Sequence, residues 1–198
     1  LLAGGAVFFA SWLATARPPL RRLAYGVQWT LILAGGVAFA LLAVPLAPMG
    51  SRVWRVTAKV HDQFREEVGW LELAQSVAGV YNALPAGERD RTGILTGNYG
   101  EAGALNLYGP ALGLPHAMSL TNSFWYRGYD PRLPQTVIVT GFDIEQANRI
   151  FETCSVVAKN TNGYNVVNEE SRDHPDILLC RNLKAAWPDY WAHSRRYG

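Results

Sequence analysis

The sequence predicts transmembrane α-helices followed by an α/β domain. The first observation behind this is an uncharged run, because no Asp, Glu, Lys or Arg occurs between Leu23 and Ser51. The second is the low overall charge: 17% of residues are charged, against about 25% in a typical soluble domain. The third is that short apolar runs alternate with segments of helical periodicity in the later part of the chain.

The apolar stretches divide the N-terminal part into segments. Residues 1–16 are predicted to be the end of a transmembrane helix, and residues 23–48 a complete one, since a spanning helix needs about 20 apolar residues. Residues 17–22, "RPPLRR", are predicted to form a cytoplasmic loop, because short basic loops stay on that side. Residues 49–198 are then extracytoplasmic. Two buried helices of a soluble protein are the disfavoured alternative, since buried helices rarely extend so far without a polar face.

The later part of the chain has the pattern of one α/β domain. Apolar residues spaced three and four apart predict a helix from Trp70 to about Leu84. The runs "ILTG" and "QTVIVTG" predict strands, each followed by a helical segment, and "SVVAKN" and "DILLCRN" predict two further strands. Alternating strands and helices predict a three-layer arrangement with a mostly parallel sheet.

The two cysteines, Cys154 and Cys180, both lie in the predicted exterior domain. In an oxidising compartment they can form a disulfide. Two unpaired buried thiols on separate strands fit the sequence equally, because spacing along the chain does not fix the distance between two Cα atoms. The Cys and His residues do not follow metal-site spacing, so no metal ligands are expected. The histidines also lack a recognisable nucleophile partner, which leaves a stand-alone hydrolase unsupported.

The segment "TGNYGE", Thr96–Glu101, follows the first predicted strand. It matches neither the dinucleotide fingerprint nor the P-loop, and Glu101 would compete with a phosphate for the helix N-terminus. Two interpretations remain. Asn98 caps the helix and Glu101 lies favourably in its first turn, or Asn98, Tyr99 and Glu101 project into a crevice at the carboxyl end of the strand, where α/β sheets bind ligands.

A second aromatic segment, "NSFWYRGYDP", would supply the opposite wall of such a crevice. Asn122 and Trp125 are its candidate ligand contacts. The alternative is that its rings pack at the membrane surface or at headgroup level. The aromatic and basic residues near the C-terminus favour contact with lipid headgroups or domain packing over nucleic acid, because the domain is predicted to be anchored outside the cytoplasm.

Four motifs carry a resemblance to a known family: "GWLEL" (69–73), "TGNYGEAGAL" (96–105), "YGPALGLP" (108–115) and "NSFWYRGYDP" (122–131). They resemble the C-terminal extracytoplasmic region of bacterial membrane glycosyltransferases of the protein-mannosyltransferase-like, family 39 type. The resemblance covers nearly the whole chain, and "TGNYGEAGA" is its most specific part.

The resemblance implies a multi-pass hexosyltransferase of the cytoplasmic membrane that takes a sugar from a polyprenyl-phosphate donor on the outer face. The expected catalytic carboxylate lies in an N-terminal loop that this chain does not contain, so no catalytic residue or cofactor is expected here and the chain alone is expected to be inactive. Its implied partners are membrane lipid, the lipid-linked donor and N-terminal helices of the same protein, not nucleic acid. Residues 119–122 read Ser-Leu-Thr-Asn where relatives more often have Ser-Gly-His-Asn, so no imidazole role is implied. The alternative function is a membrane-anchored binding or structural module without catalysis.

Overall fold

The computed structural model describes residues 2–44 and 46–197. The chain divides into two compact units, Leu1–Asp62 and Gln63–Gly198. Leu1, Pro45 and Gly198, which the predicted segments include, lie outside the described residues.

The N-terminal unit is helical, with α1 (Leu2–Thr15), α2 (Pro18–Ala43) and α3 (Arg52–Val60). Within α2, the stretch Pro18–Leu41 is long and apolar enough to span a membrane, and the unit buries none of its most apolar window.

The bounds of α2 correct the predicted loop at 17–22 and the predicted end of the span at 48. The helix begins at Pro18 because proline suits the first helical position, and Arg21 and Arg22 therefore lie in the helix. It ends at Ala43, and Val44 is extended, as expected of a residue that precedes a proline in the sequence.

The C-terminal unit contains short helices and five strands among its described residues. In chain order they are α4 (Gln63–Glu66), α5 (Trp70–Ala83), α6 (Ala86–Arg89), β1 (Thr92–Thr96), α7 (Tyr99–Tyr108), β2 (Ala117–Ser119), β3 (Thr136–Thr140), α8 (Ile144–Ile150), β4 (Phe151–Lys159), α9 (Glu169–Asp173), β5 (Asp176–Leu183) and α10 (Trp187–His193), with 3-10 helices at Gly109–Leu112 and Asn122–Arg127.

The strands form one mixed sheet in the order β2-β1-β3-β5-β4. Strand β1 is parallel to β2 and β3, whereas β5 is antiparallel to both β3 and β4. The α/β class is confirmed, and the expectation of a mostly parallel sheet is wrong for the β5 side. After a connection that contains α9, strand β5 returns beside β4, which gives an antiparallel pair. Apolar runs indicate where strands lie but not their direction.

Two core clusters involve alternate residues of the central strands. Ile138 on β3 belongs to the cluster that includes α5 and α7, while Val137 and Val139 belong to the cluster that includes α10. Side chains of successive strand residues point to opposite faces, so each face of the sheet carries one cluster. Every residue of β1 and β3 is buried, which fits strands covered on both faces.

Candidate functional site

A crevice of about 530 Å³ opens at the carboxyl end of β1, where the lining residue Gly97 is hydrogen-bonded to Thr140 at the end of β3. From β1 the chain continues through α7 to β2 on one side, and from β3 it continues through α8 to β4 on the other. Ligands of α/β sheets bind at such switch points. The crevice is lined by carboxylates, aromatic rings and other polar side chains, among them Glu66, Glu169, Glu170, Trp70, Tyr99, Tyr197, Asn98, Thr121 and Arg196.

Two glycines allow the strand ends to meet beneath this crevice. The N–H of Gly97 donates a hydrogen bond to the carbonyl of Thr140 at 2.8 Å, and a Cβ on Gly97 would overlap the carbonyl of Gly141. Gly141 has a φ of +69°, and a Cβ there would overlap the Glu101 carboxylate. Glycine is therefore required by contact at Gly97 and by both conformation and contact at Gly141.

Asn98 caps α7, as the first of the two interpretations expects. Its Oδ1 accepts a hydrogen bond from the N–H of Glu101 at 2.8 Å, which satisfies one of the free donors at the helix start. The same residue lines the crevice, so capping and exposure to a ligand occur together. Tyr99 also lines the crevice, and it is 55% exposed.

Glu101 lies below the crevice and is 1% exposed. Its Oε2 accepts a hydrogen bond from the N–H of Gly97 at 3.2 Å. Burial above all, and also the charge of Glu170, raise the pKa of Glu101 to about 7. The structure thus places this carboxyl group against the turn that shapes the crevice and away from its open surface.

The acidic wall of the crevice was not singled out from the sequence. Glu66 accepts a hydrogen bond from the N–H of Glu169 at 3.0 Å through its Oε2. Burial above all, and also the charges of Glu66 and Glu169, raise the pKa of Glu170. The only local signal is the Asn168 cap before "EES", which predicts a helix start. Nothing in that pattern indicates proximity to residues 97–99.

Asn122 and Trp125 lie beside the crevice rather than in it. Neither is among the residues of the described chain that line it, whereas Thr121 and Arg196 are. The N–H of Asn122 donates to the carbonyl of Arg196 at 3.0 Å. The indole N–H of Trp125 donates a hydrogen bond to the carbonyl of Trp191 at 2.9 Å. The indole N–H of Trp191 in turn donates to the carbonyl of Trp125 at 2.9 Å. Trp125 thus holds the C-terminal segment against the 3-10 helix.

A second depression of about 540 Å³ lies beside β2. Its histidine, His116, is hydrogen-bonded through Nδ1 to Oδ1 of Asn106 at 2.9 Å. Its acid, Asp130, forms an ion pair with Arg132 at 2.6 Å. His116 and Asp130 therefore each pair with a neighbouring side chain of the same depression.

The two cysteines whose pairing the sequence left open form a disulfide that joins β4 to β5. Within residues 2–44 and 46–197, no group of three or more His, Cys, Asp or Glu side chains is arranged to hold a metal ion. Comparisons with protein-family models, curated proteins and solved structures find no match to this chain.

Proposed function

We propose that this chain is the C-terminal portion of an integral-membrane hexosyltransferase that transfers a sugar from a polyprenyl-phosphate donor on the outer face of the cytoplasmic membrane. In this proposal the catalytic carboxylate belongs to N-terminal helices and loops of the same protein. The crevice shapes or covers the site. The proposal includes an extracytoplasmic, three-layer α/β domain and more than one membrane span.

The observation that carries the proposal is the chemistry of the crevice at the switch point. Carboxylate oxygens from Glu169 and Glu170 can accept hydrogen bonds from sugar hydroxyls. The rings of Trp70 and Tyr99 offer apolar faces against which a pyranose can pack. Mostly apolar walls with a few convergent polar groups are typical of small-molecule sites.

The disulfide supports the proposed location. Disulfides persist in oxidising compartments and are rare in the cytosol. The bond between Cys154 and Cys180 lies in the same unit as the crevice, and the N-terminal unit carries a helix that is long enough to anchor the chain in a membrane.

The proposal is tested by binding of a polyprenyl-phosphate hexose to the full chain in nanodiscs, measured with a panel of mannose, glucose and galactose donors. We expect at least one donor to bind and Tyr99→Ala to weaken binding about tenfold, the loss of roughly 1.4 kcal/mol. Tyr164→Ala is the matched control, because Tyr164 is similarly exposed and lies outside the crevice lining. Absence of binding to every donor, or an equal loss in both variants, would contradict the proposal.

Transfer itself is expected to require the N-terminal part of the protein. The full chain supplied with a bound donor should therefore release no sugar to an acceptor, which a radiolabelled-donor assay measures. Sugar transfer by this chain alone would place the chemistry here and refute the assignment of the carboxylate elsewhere.

A non-catalytic binding or structural module is the second candidate function. It is favoured by Asn98, whose side-chain oxygen is occupied by the helix cap, and by Glu101, which is buried. In that case Tyr99→Ala leaves donor binding unchanged and alters only stability.

A further inference from the structure

A group of exposed and half-buried rings and guanidinium groups lies on the C-terminal unit, and one of its members, Tyr197, also lines the crevice. It comprises Phe124, Tyr126, Arg127, Arg195 and Tyr197, and is called here the aromatic–arginine patch. The 3-10 helix Asn122–Arg127 supplies three of these side chains, and the residues after α10 supply the other two.

Arg195 is the centre of the patch. Its Cζ lies 4.5 Å from the ring centroid of Tyr126, 4.7 Å from that of Tyr197 and 5.0 Å from that of Trp125. Its Nη2 donates a hydrogen bond to the Tyr126 hydroxyl at 2.7 Å. Three aromatic contacts hold the guanidinium group in place, and each is favourable because the ring face is electron-rich.

The guanidinium groups of the patch have no carboxylate partner among the described residues, and its two tyrosine rings are largely exposed. Tyr126 is 69% exposed and Tyr197 is 75% exposed. Arg127 is exposed, with its Cζ 4.3 Å from the Phe124 ring centroid. Within the described part of the chain, neither Arg127 nor Arg195 forms an ion pair with a carboxylate. The Nε of Arg195 is buried without a hydrogen-bond partner, so the exposed charge of the patch is that of Arg127.

This combination fits the headgroup layer of a membrane. Tyrosine places its ring among apolar groups and its hydroxyl among polar ones, which is why it is enriched at that depth. Arginine presents several N–H donors in a fork that matches phosphate oxygens. An anionic membrane surface also attracts basic residues electrostatically. The same chain carries a helix of membrane-spanning length.

We propose that the aromatic–arginine patch docks on the anionic phosphate headgroups of the membrane, with its exposed rings at headgroup level. This interaction does not depend on sugar binding or on the proposed transferase. It depends on charge, so it weakens as salt screens the surface.

The test uses the full chain in nanodiscs. The substitution Ser123→Cys provides a thiol for a fluorophore, and this position is exposed within the 3-10 helix. A lipid with a nitroxide on its headgroup quenches the fluorophore when the patch is docked. We expect stronger quenching in nanodiscs that contain phosphatidylglycerol than in pure phosphatidylcholine. A fluorophore on Gln75→Cys is the control, because Gln75 is exposed on α5, which packs against the other face of the sheet.

Charge removal provides the second arm. Arg127→Gln in the labelled chain should lower the ratio of docked to undocked molecules about fivefold, the factor expected for one basic residue near an anionic surface. The matched control, Arg149→Gln, changes an exposed arginine on α8 and should leave quenching unchanged.

Three results would overturn the proposal. Ser123 and Gln75 labels that are quenched equally would show that the patch does not face lipid. Equal quenching in both lipids would show that phosphate charge plays no part. A label that responds only to protein concentration would assign the patch to a second copy of the chain.

Discussion

At the residue scale, the buried carboxyl of Glu101 links the stability of the fold to pH. Its pKa rises from 4.5 to about 7 on folding, so between these values the folded state binds more protons than the unfolded state. The contribution of Glu101 to stability is therefore fully present below pH 4.5 and is lost as the pH rises to about 7. Its size is about 3 kcal/mol, at 1.36 kcal/mol per unit of pKa difference.

Replacement of this carboxyl by an amide removes the titrating group and keeps its shape. We expect Glu101→Gln to flatten the fall in melting temperature between pH 4.5 and pH 8, relative to the unsubstituted chain, in thermal unfolding of the detergent-solubilised protein. Some slope should remain, because the pKa of Glu170 is also raised. Glu145→Gln, an exposed control, should keep the full slope, and an unchanged slope in Glu101→Gln would show that folding does not raise the pKa of Glu101.

The crevice turn gives a second residue-scale prediction. Gly97→Ala should destabilise the chain by about 2–3 kcal/mol, because its Cβ meets a backbone carbonyl that has no room to move. Gly103→Ala is the matched control: nothing lies within 4 Å of an added Cβ at this helical site, and alanine favours helix by up to about 1 kcal/mol. Denaturant unfolding measures the free energy of unfolding of both variants. If Gly97→Ala left it unchanged, the ends of β1 and β3 would have to lie further apart than in this structure.

The element scale shows what the sequence predicts well. Helix α5 and strands β1 and β3 follow from periodicity and from apolar runs bounded by glycine, since each pattern reflects local geometry. Strand β2 has three residues, which are too few to show alternation. The boundary between α8 and β4 lies at Phe151, and the sequence does not define it because helix ends are ambiguous by one or two residues.

The disulfide links two elements that are adjacent in the sheet but separated in sequence. It closes a loop of 26 residues, and the chain-entropy estimate for that length is about 3.5 kcal/mol. We expect Cys154→Ala/Cys180→Ala to lose about that much in denaturant unfolding. Dithiothreitol should destabilise the unsubstituted chain to a similar extent and leave the double variant unchanged. If dithiothreitol also destabilised the double variant, its effect on the unsubstituted chain could not be assigned to the disulfide.

At the scale of the whole molecule, the sequence predicts which residues can form a site better than it predicts which of them meet. Asn98 and Tyr99 were found because they end a predicted strand, and both line the crevice. The acidic wall was missed because Glu66 and Glu169 are brought together by tertiary packing over a separation that no local pattern spans. Trp125 is a candidate ligand contact because it is aromatic, but its indole is hydrogen-bonded to Trp191 of α10.

The division of the chain gives the last prediction. Both core clusters and the disulfide lie within Gln63–Gly198, and about 130 residues suffice for one independent core. A protein that begins at Gln63 should therefore be monodisperse without detergent and show cooperative unfolding by circular dichroism. The full chain should require detergent, because its Pro18–Leu41 helix exposes apolar surface. Aggregation of the shorter protein would mean that its core needs the N-terminal unit, and a full chain that is monodisperse without detergent would contradict the membrane span.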